Sequence, residues 1–219
     1  MATTKVNDIL DRASIILQDT SNTRFANADL LKFFNDGQRE VVIYRPDANV
    51  TNTNFTCAAG SKQTLPASAL RLIDVTRNVN GRAICQISRK MLDESLPDWH
   101  NSTADSTRKI EHFIYDASNP KNFYVYPAAE NSFQIEVIYS IAPADVTLSN
   151  YTSDATTISL DDTYANGLLD YILYRAYQID SEFAGNAEKS MMHYRSFVNG
   201  LGAKTQGDSA ADPRVGDMQ

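Results

Sequence analysis

Cysteine, histidine and tryptophan are scarce in this chain, and long apolar runs are missing. Its 219 residues include two Cys, three His and one Trp. Cys57 and Cys85 cannot build a disulfide framework, and both are expected as small core residues. His100, His112 and His193 fall in a predicted loop, strand and helix. None stands at a zinc-ligand spacing such as HExxH, so no metal role is expected, and His112 is expected to make an ordinary strand hydrogen bond. There is no GxSxG, no P-loop and no GxGxxG, and no Ser or Cys has the local context of a nucleophile. Nothing approaches the ~20 apolar residues that span a bilayer, and MATTKVNDILDR lacks a signal-peptide core; the expectation is a protein made and kept in a cytoplasm.

Positive charge is also short. Net charge is −7, and residues 161–200 carry three basic against six acidic side chains. Without a basic stripe, a nucleic-acid grip is excluded, and the plain reading of the acidity is solubility. Two carboxylate pairs remain. Asp161 and Asp162 stand where helix caps belong, and Asp93 with Glu94 reads as a solvated face. Neither pair marks acid–base chemistry.

What is present is periodicity. Leu30, Phe34, Gly37, Val41 and Tyr44 share one face of a helix over 25–46, with Phe25 and Leu30 placed to close a hydrophobic staple and Pro46 as the stop. Gly37 in mid-helix costs about 1 kcal/mol relative to Ala, which implies close approach of another backbone, most simply helix one. Residues 4–18 predict that first helix, with Thr3 or Thr4 as cap and Val6, Ile9, Leu10, Ala13, Ile16 and Leu17 on one face. The short linker 19–24 predicts two antiparallel neighbours meeting through these stripes.

After Pro46 the period changes to that of strands. Residues 71–79 and 82–88 flank Asn80–Gly81, a strong hairpin signal. Residues 91–99 form a short helical turn anchored by Trp99, 100–108 a polar loop, and 109–116, 122–127 and 132–140 three short strands. The helical period returns at Leu160, capped by Asp161 or Asp162 and running to about Ile179. A second helix over about 182–200 carries Phe183, Ala187, Met191, Tyr194 and Val198. Gly200 and Gly202 are expected at its C-terminal cap. Met191 and Met192 are expected inside the helical packing, with a sticky partner surface as the alternative. Residues 203–219 hold almost no large apolar side chains and read as a flexible tail.

The fold expected is α+β. The N- and C-terminal helix pairs, 1–46 and 161–202, form a four-helix bundle, with a mostly antiparallel β-lobe inserted over 47–160 and the tail over 203–219. Tyr115, Tyr124, Tyr126 and Tyr139 populate the lobe, and Tyr joins apolar area to a polar tip suited to interfaces.

Four stretches carry a family resemblance: FNDGQREVVIYRPDA, GSKQTLPASALRLIDVTRNV, SRKMLDESLPDW and FYVYPAAENSFQIEVIYSIAP. Collinear over about 1–200, they resemble the head-to-tail adaptor (tail tubular A-like, or connector) proteins of short-tailed bacteriophages. Ala26 and Phe25 depart from the family, which favours a capping residue and a Trp there. The resemblance implies a virion protein of the neck, not an enzyme and without cofactor. It implies a homo-oligomeric ring, of twelve copies, under the portal protein. Such a ring extends the DNA channel and receives the tail nozzle and fibres or spikes; DNA passes without specific contact, and no membrane is involved. Within that frame the tail becomes the expected portal-binding segment, through Lys204, Gln206, Asp208, Asp212, Pro213, Arg214, Val215 and Met218. The four tyrosines become the expected β-lobe interface. Two other readings are a monomeric virion-surface binding module and a virion-associated cell-wall hydrolase.

Overall fold

The computed structural model describes residues 2–79, 81–101, 109–179 and 185–210. Five helices and seven strands stand among them: α1 (Val6–Ile16), α2 (Asn27–Tyr44), β1 (Val50–Thr56), β2 (Gly60–Thr64), β3 (Ala69–Asn78), β4 (Cys85–Gln86), α3 (Arg89–Ser95), β5 (His112–Tyr115), β6 (Asn122–Ala129), β7 (Gln134–Ile141), α4 (Ala165–Ile179) and α5 (Asn186–Ala210). Contacts divide them into a helical unit, from residues 1–48 and 143–219, and a β unit over 49–142.

In the helical unit α4 is the shared element, packing on α5, α2 and α1, while α1 and α2 touch each other only lightly. The antiparallel α1–α2 pair expected from the short linker is thus replaced by two helices that both face α4. The core joins Ile9, Leu10, Leu30, Phe34, Leu168, Ile172 and Phe197, all almost without exposed area. Phe25 and Leu30 both lie in this core, one before and one a turn inside α2, as a staple requires. Gly37 meets α4 and not helix one. A Cβ there would sit 3.0 Å from a ring carbon of Tyr171 and 3.4 Å from a Leu168 methyl. The missing side chain makes room for an aromatic ring.

Caps differ from expectation as well. The residue preceding α1 is Lys5, with no side-chain cap. The Asp161 carboxylate does cap, accepting from the Thr163 amide at 2.9 Å. Its neighbour turns away. Asp162 accepts from the Thr4 amide (2.8 Å), the Thr3 amide (2.9 Å) and the Thr3 hydroxyl (2.7 Å), and so ties the start of the chain to the entry of α4. These donors hold its carboxyl far below the usual range, the Thr4 amide first among them. The linker before α2 is organised the same way: Asp19 accepts from the amides of Phe25 (2.7 Å), Arg24 (2.8 Å) and Thr23 (3.0 Å).

Residues 143–160, read from sequence as part of the inserted lobe, pack in the helical unit. Val6 N–H donates to Thr156 O and Ile158 N–H to Thr4 O, and Val146, Ile158 and Leu160 join the helical core. Polar residues of α2 hold this connector. Asn35 exchanges two hydrogen bonds with the Val146 backbone (2.9 and 3.0 Å), and Gln38, 1% exposed, accepts from the Ser159 amide at 3.0 Å. Buried amides are satisfied in this way without charge.

The β unit has two sheets, ordered β1-β7-β3 and β2-β6-β5-β4, mostly antiparallel, with the two-residue β4 parallel to β5. One apolar cluster draws on both, with Phe123, Val125, Ile135, Val137 and Val75 at its centre. Gly60 adopts φ +109°, a left-handed conformation that glycine allows, as the chain enters β2. The hairpin turn after β3 is closed by Asn78, whose amide and side-chain Nδ2 both donate to Arg82 O. Its second strand shrinks to a bridge at Ala83 and to β4; Asn80 lies outside the described residues. Cys57 is buried, and burial pushes its thiol up to about 12; Cys85 is exposed, contrary to expectation. His112 lacks the expected strand hydrogen bond at its buried Nδ1, which has no partner among the described residues.

Candidate functional site

The first candidate is the C-terminal helix and what holds it. From sequence the chain loses structure at 203. Instead α5 runs unbroken to Ala210, and Gly200 and Gly202 lie inside it. The stretch AKTQGDSA is helical because one buried residue, Arg45, anchors it from the end of α2. Arg45 donates through Nε and Nη2 to Asp47 (2.9 and 2.5 Å), through Nη1 to Thr205 Oγ1 (3.0 Å) and through Nη2 to Asp208 (2.7 Å). Pro46 ends α2 one residue later, so the guanidinium is placed where the chain turns. The Asp47 and Asp208 carboxylates hold Arg45 protonated beyond its ordinary range, and the guanidinium in turn lowers both carboxyls.

Further contacts reinforce the strap. Lys204 Nζ lies 5.3 Å from the Tyr164 ring centroid and pairs with Asp208 at 3.5 Å. Leu201 is buried in the helical core. Tyr44 and Tyr194 hydroxyls meet at 3.0 Å, which pushes the Tyr194 phenol up to about 12. Lys204 and Asp208, expected on a free tail, are therefore engaged with the chain's own body. Gln206 is exposed on the same helix. Asp212, Pro213, Arg214, Val215 and Met218 lie outside the described residues, as does Phe183. Sequence reading missed Arg45 and Thr205. The available signal was an arginine immediately before the proline that stops α2.

The second candidate is an aromatic cleft in the β unit. Tyr124 and Tyr126 lie half-buried on β6 and pack beside Trp99, Leu92 and Ile114. Trp99, 2% exposed, donates Nε1–H to Asp93 (2.8 Å), stacks on His100 at 3.6 Å and meets Tyr124 edge-on at 5.9 Å. His100 Nδ1 lies 2.9 Å from Ser61 Oγ. Ser95, Leu96, Pro97, Asp98, Trp99 and Tyr126 line a cleft of about 310 Å³. Asp93 thus supports the cleft wall and is not merely solvated. The four tyrosines do not gather there. Tyr115 packs against the sheet core with its hydroxyl buried and without a partner among the described residues, and Tyr139 is itself a core residue.

A third cluster joins α4 to α5. His193 Nδ1 lies 2.8 Å from Asp170, which also accepts from Ser196 Oγ at 2.9 Å, and Tyr177 stacks on the imidazole. Serine and histidine both point at the carboxylate and not at each other. Met191 and Met192, expected inside the packing, are exposed on α5. Among the described residues no group of His, Cys, Asp or Glu could hold a metal ion, and no helix is long and apolar enough to cross a membrane.

The chain belongs to the SU10 adaptor protein family, whose model matches residues 4–216. It is therefore a phage head-to-tail adaptor by family, which implies a place in the virion and partners there such as the portal. No curated protein matches the chain.

Proposed function

We propose that copies of this chain form a ring, of twelve, under the portal of a tailed phage. The ring extends the DNA channel, with the nozzle and the fibres or spikes attached on its far side. The observation that carries the reading is the family match over nearly the whole chain. The net charge of −7 supports the channel role, since an acidic wall lets a polyanion slide where a basic one would grip it. The helical unit meets the portal, and the segment following α5 adds to that contact, with Gln206 already exposed beside it. The β unit receives tail components, and its cleft of Leu96, Pro97, Trp99 and Tyr126 is an apolar socket for a protruding side chain.

Deleting residues 211–219 leaves α5 and the Arg45 anchor intact, so the shortened chain folds. Its docking on portal should weaken by about tenfold or more. Docking at unchanged affinity removes the segment's role. Imaging the chain mixed with its portal should show a closed circle of twelve copies, and one copy per portal site would favour a monomeric surface module that uses the cleft alone.

A further inference from the structure

We infer that β1 is an open sheet edge which pairs, antiparallel, with β1 of a second copy of this chain. Strands at the edge of a sheet expose unpaired N–H and C=O groups and are normally protected by charge, proline, bulges or a covering segment. The other edges of the β unit have such protection. On β3 the amide of Leu72 donates to Pro120 O, Thr76 O accepts from Ile84 and the amide of Asn78 donates to Arg82 O. That strand also carries three register shifts and two arginines. β2 has a register shift and Lys62, and β4 is two residues long.

β1, VTNTNFT, has none of these. It pairs with β7 residue for residue over seven positions with no bulge, and it holds no charge and no proline. Among the described residues it pairs with β7 alone, Phe55 rests on Phe123, and none of its seven residues is buried. The orientation of its backbone follows from the bonds at its ends. Ile141 N–H donates to Asn49 O and Cys57 N–H to Phe133 O, so the odd-numbered residues carry the bonds to β7. The N–H and C=O groups of Val50, Asn52, Asn54 and Thr56 therefore point away from the sheet, and no backbone partner meets them among the described residues.

The occupant is set by self-complementarity. Laid antiparallel on itself about Thr53, the strand places Val50 opposite the second copy's Thr56 and Asn52 opposite its Asn54, which are the pairs whose backbone groups face outward. On the exposed face asparagine then meets asparagine. On the core face Thr51 meets the second copy's Phe55 and Thr53 meets Thr53, so aromatic, threonine and amide pairs form with no like charges opposed. Two three-stranded sheets become one of six, and the open edge disappears. The contact is two-fold and closes on itself, so it joins free copies in pairs and differs from the head-to-tail contacts of a ring. It goes beyond the adaptor reading, and shields a sticky edge before assembly.

Sedimentation of the full chain without portal should show a concentration-dependent dimer. Asn52→Lys with Asn54→Lys sets lysine against lysine twice across the two-fold and should weaken the dimer about tenfold. Asn52→Asp with Asn54→Lys sets opposite charges in the same places and should keep or tighten it. Both substituted positions are exposed, and circular dichroism confirms that each variant folds. A wild-type monomer at all concentrations overturns the inference, as does a dimer that treats both double variants alike. Portal docking is a separate measurement, so failure of the dimer leaves the adaptor reading untouched.

Discussion

The two units solve the same problem with different materials. The helical unit is assembled from chain segments far apart, and two of its seams are charged: Asp162 on Thr3 and Thr4, and Arg45 on Asp208. The β unit is one continuous stretch, 49–142, and its internal clamps are neutral. Asn78 exchanges hydrogen bonds with the Ile110 backbone (2.8 and 3.0 Å), and Gln63 does the same with Ala58 (both 2.8 Å). A contiguous segment closes its loops at lower entropic cost than two ends that must find each other. Fixed charges at a seam respond to pH and partners, whereas buried amides do not.

Core truncations break the comparison most sharply. Phe123 and Phe34 are each 0% exposed, one in each unit. Replacing either by Ala should cost about 3–5 kcal/mol, in its own unit alone. Denaturant unfolding followed by helical and aromatic signals should then show one transition moving and the other fixed. If both move together, the units are not independent.

Gly37→Val comes next. It relieves only about 0.3–0.5 kcal/mol of helix propensity and forces a branched side chain onto the Tyr171 ring, itself wedged against Tyr174 and Phe197. A net loss of about 2 kcal/mol is expected, confined to the helical transition. A gain in melting temperature would show that the ring gives way.

Arg45→Ala should cost the helical unit about 2 kcal/mol through lost charged hydrogen bonds. The effect should concentrate at the end of α5. Hydrogen exchange should quicken at residues 203–208 and leave the β unit unchanged; uniform protection would mean the helix does not need its anchor.

The smallest effect is that of acid. Asp162, Asp19 and Asp208 have folded pKa values below their unfolded ones, near ~3.9. Their contribution is fully present above the unfolded value and is lost as pH falls through the folded one. Lowering pH below ~4 should therefore loosen the helical seams first. In the β unit Glu136 is also lowered, first by its hydrogen bond from Arg77, whereas the Asn78 and Gln63 clamps do not titrate. Asp162→Asn should flatten the acid response of the Thr3 and Thr4 amides in NMR spectra. An unchanged profile would assign the seam to other groups.

Much of this was legible in the residues alone. Periodicity marked α1, α2 and α4, alternation marked the strands, and Phe25, Leu30 and Pro46 bounded α2, because these signals are local and repeat along the chain. The family resemblance was legible for the same reason, since it is collinear. What needed the tertiary structure was every contact made at long range. Residues 203–210 look too polar to order, yet they are helical because Arg45, 160 residues before Thr205, reaches them. Gly37 announced a close approach without saying that an aromatic ring makes it. Asp161 and Asp162 were interchangeable as caps until the fold put Thr3 and Thr4 beside one of them. Four tyrosines of one lobe were alike in sequence, and the strand pairing sent two to a cleft wall and two to the core side. Local patterns encode which element forms. Which distant group satisfies a given charge or fills a given gap depends on packing, and packing is a property of the whole chain.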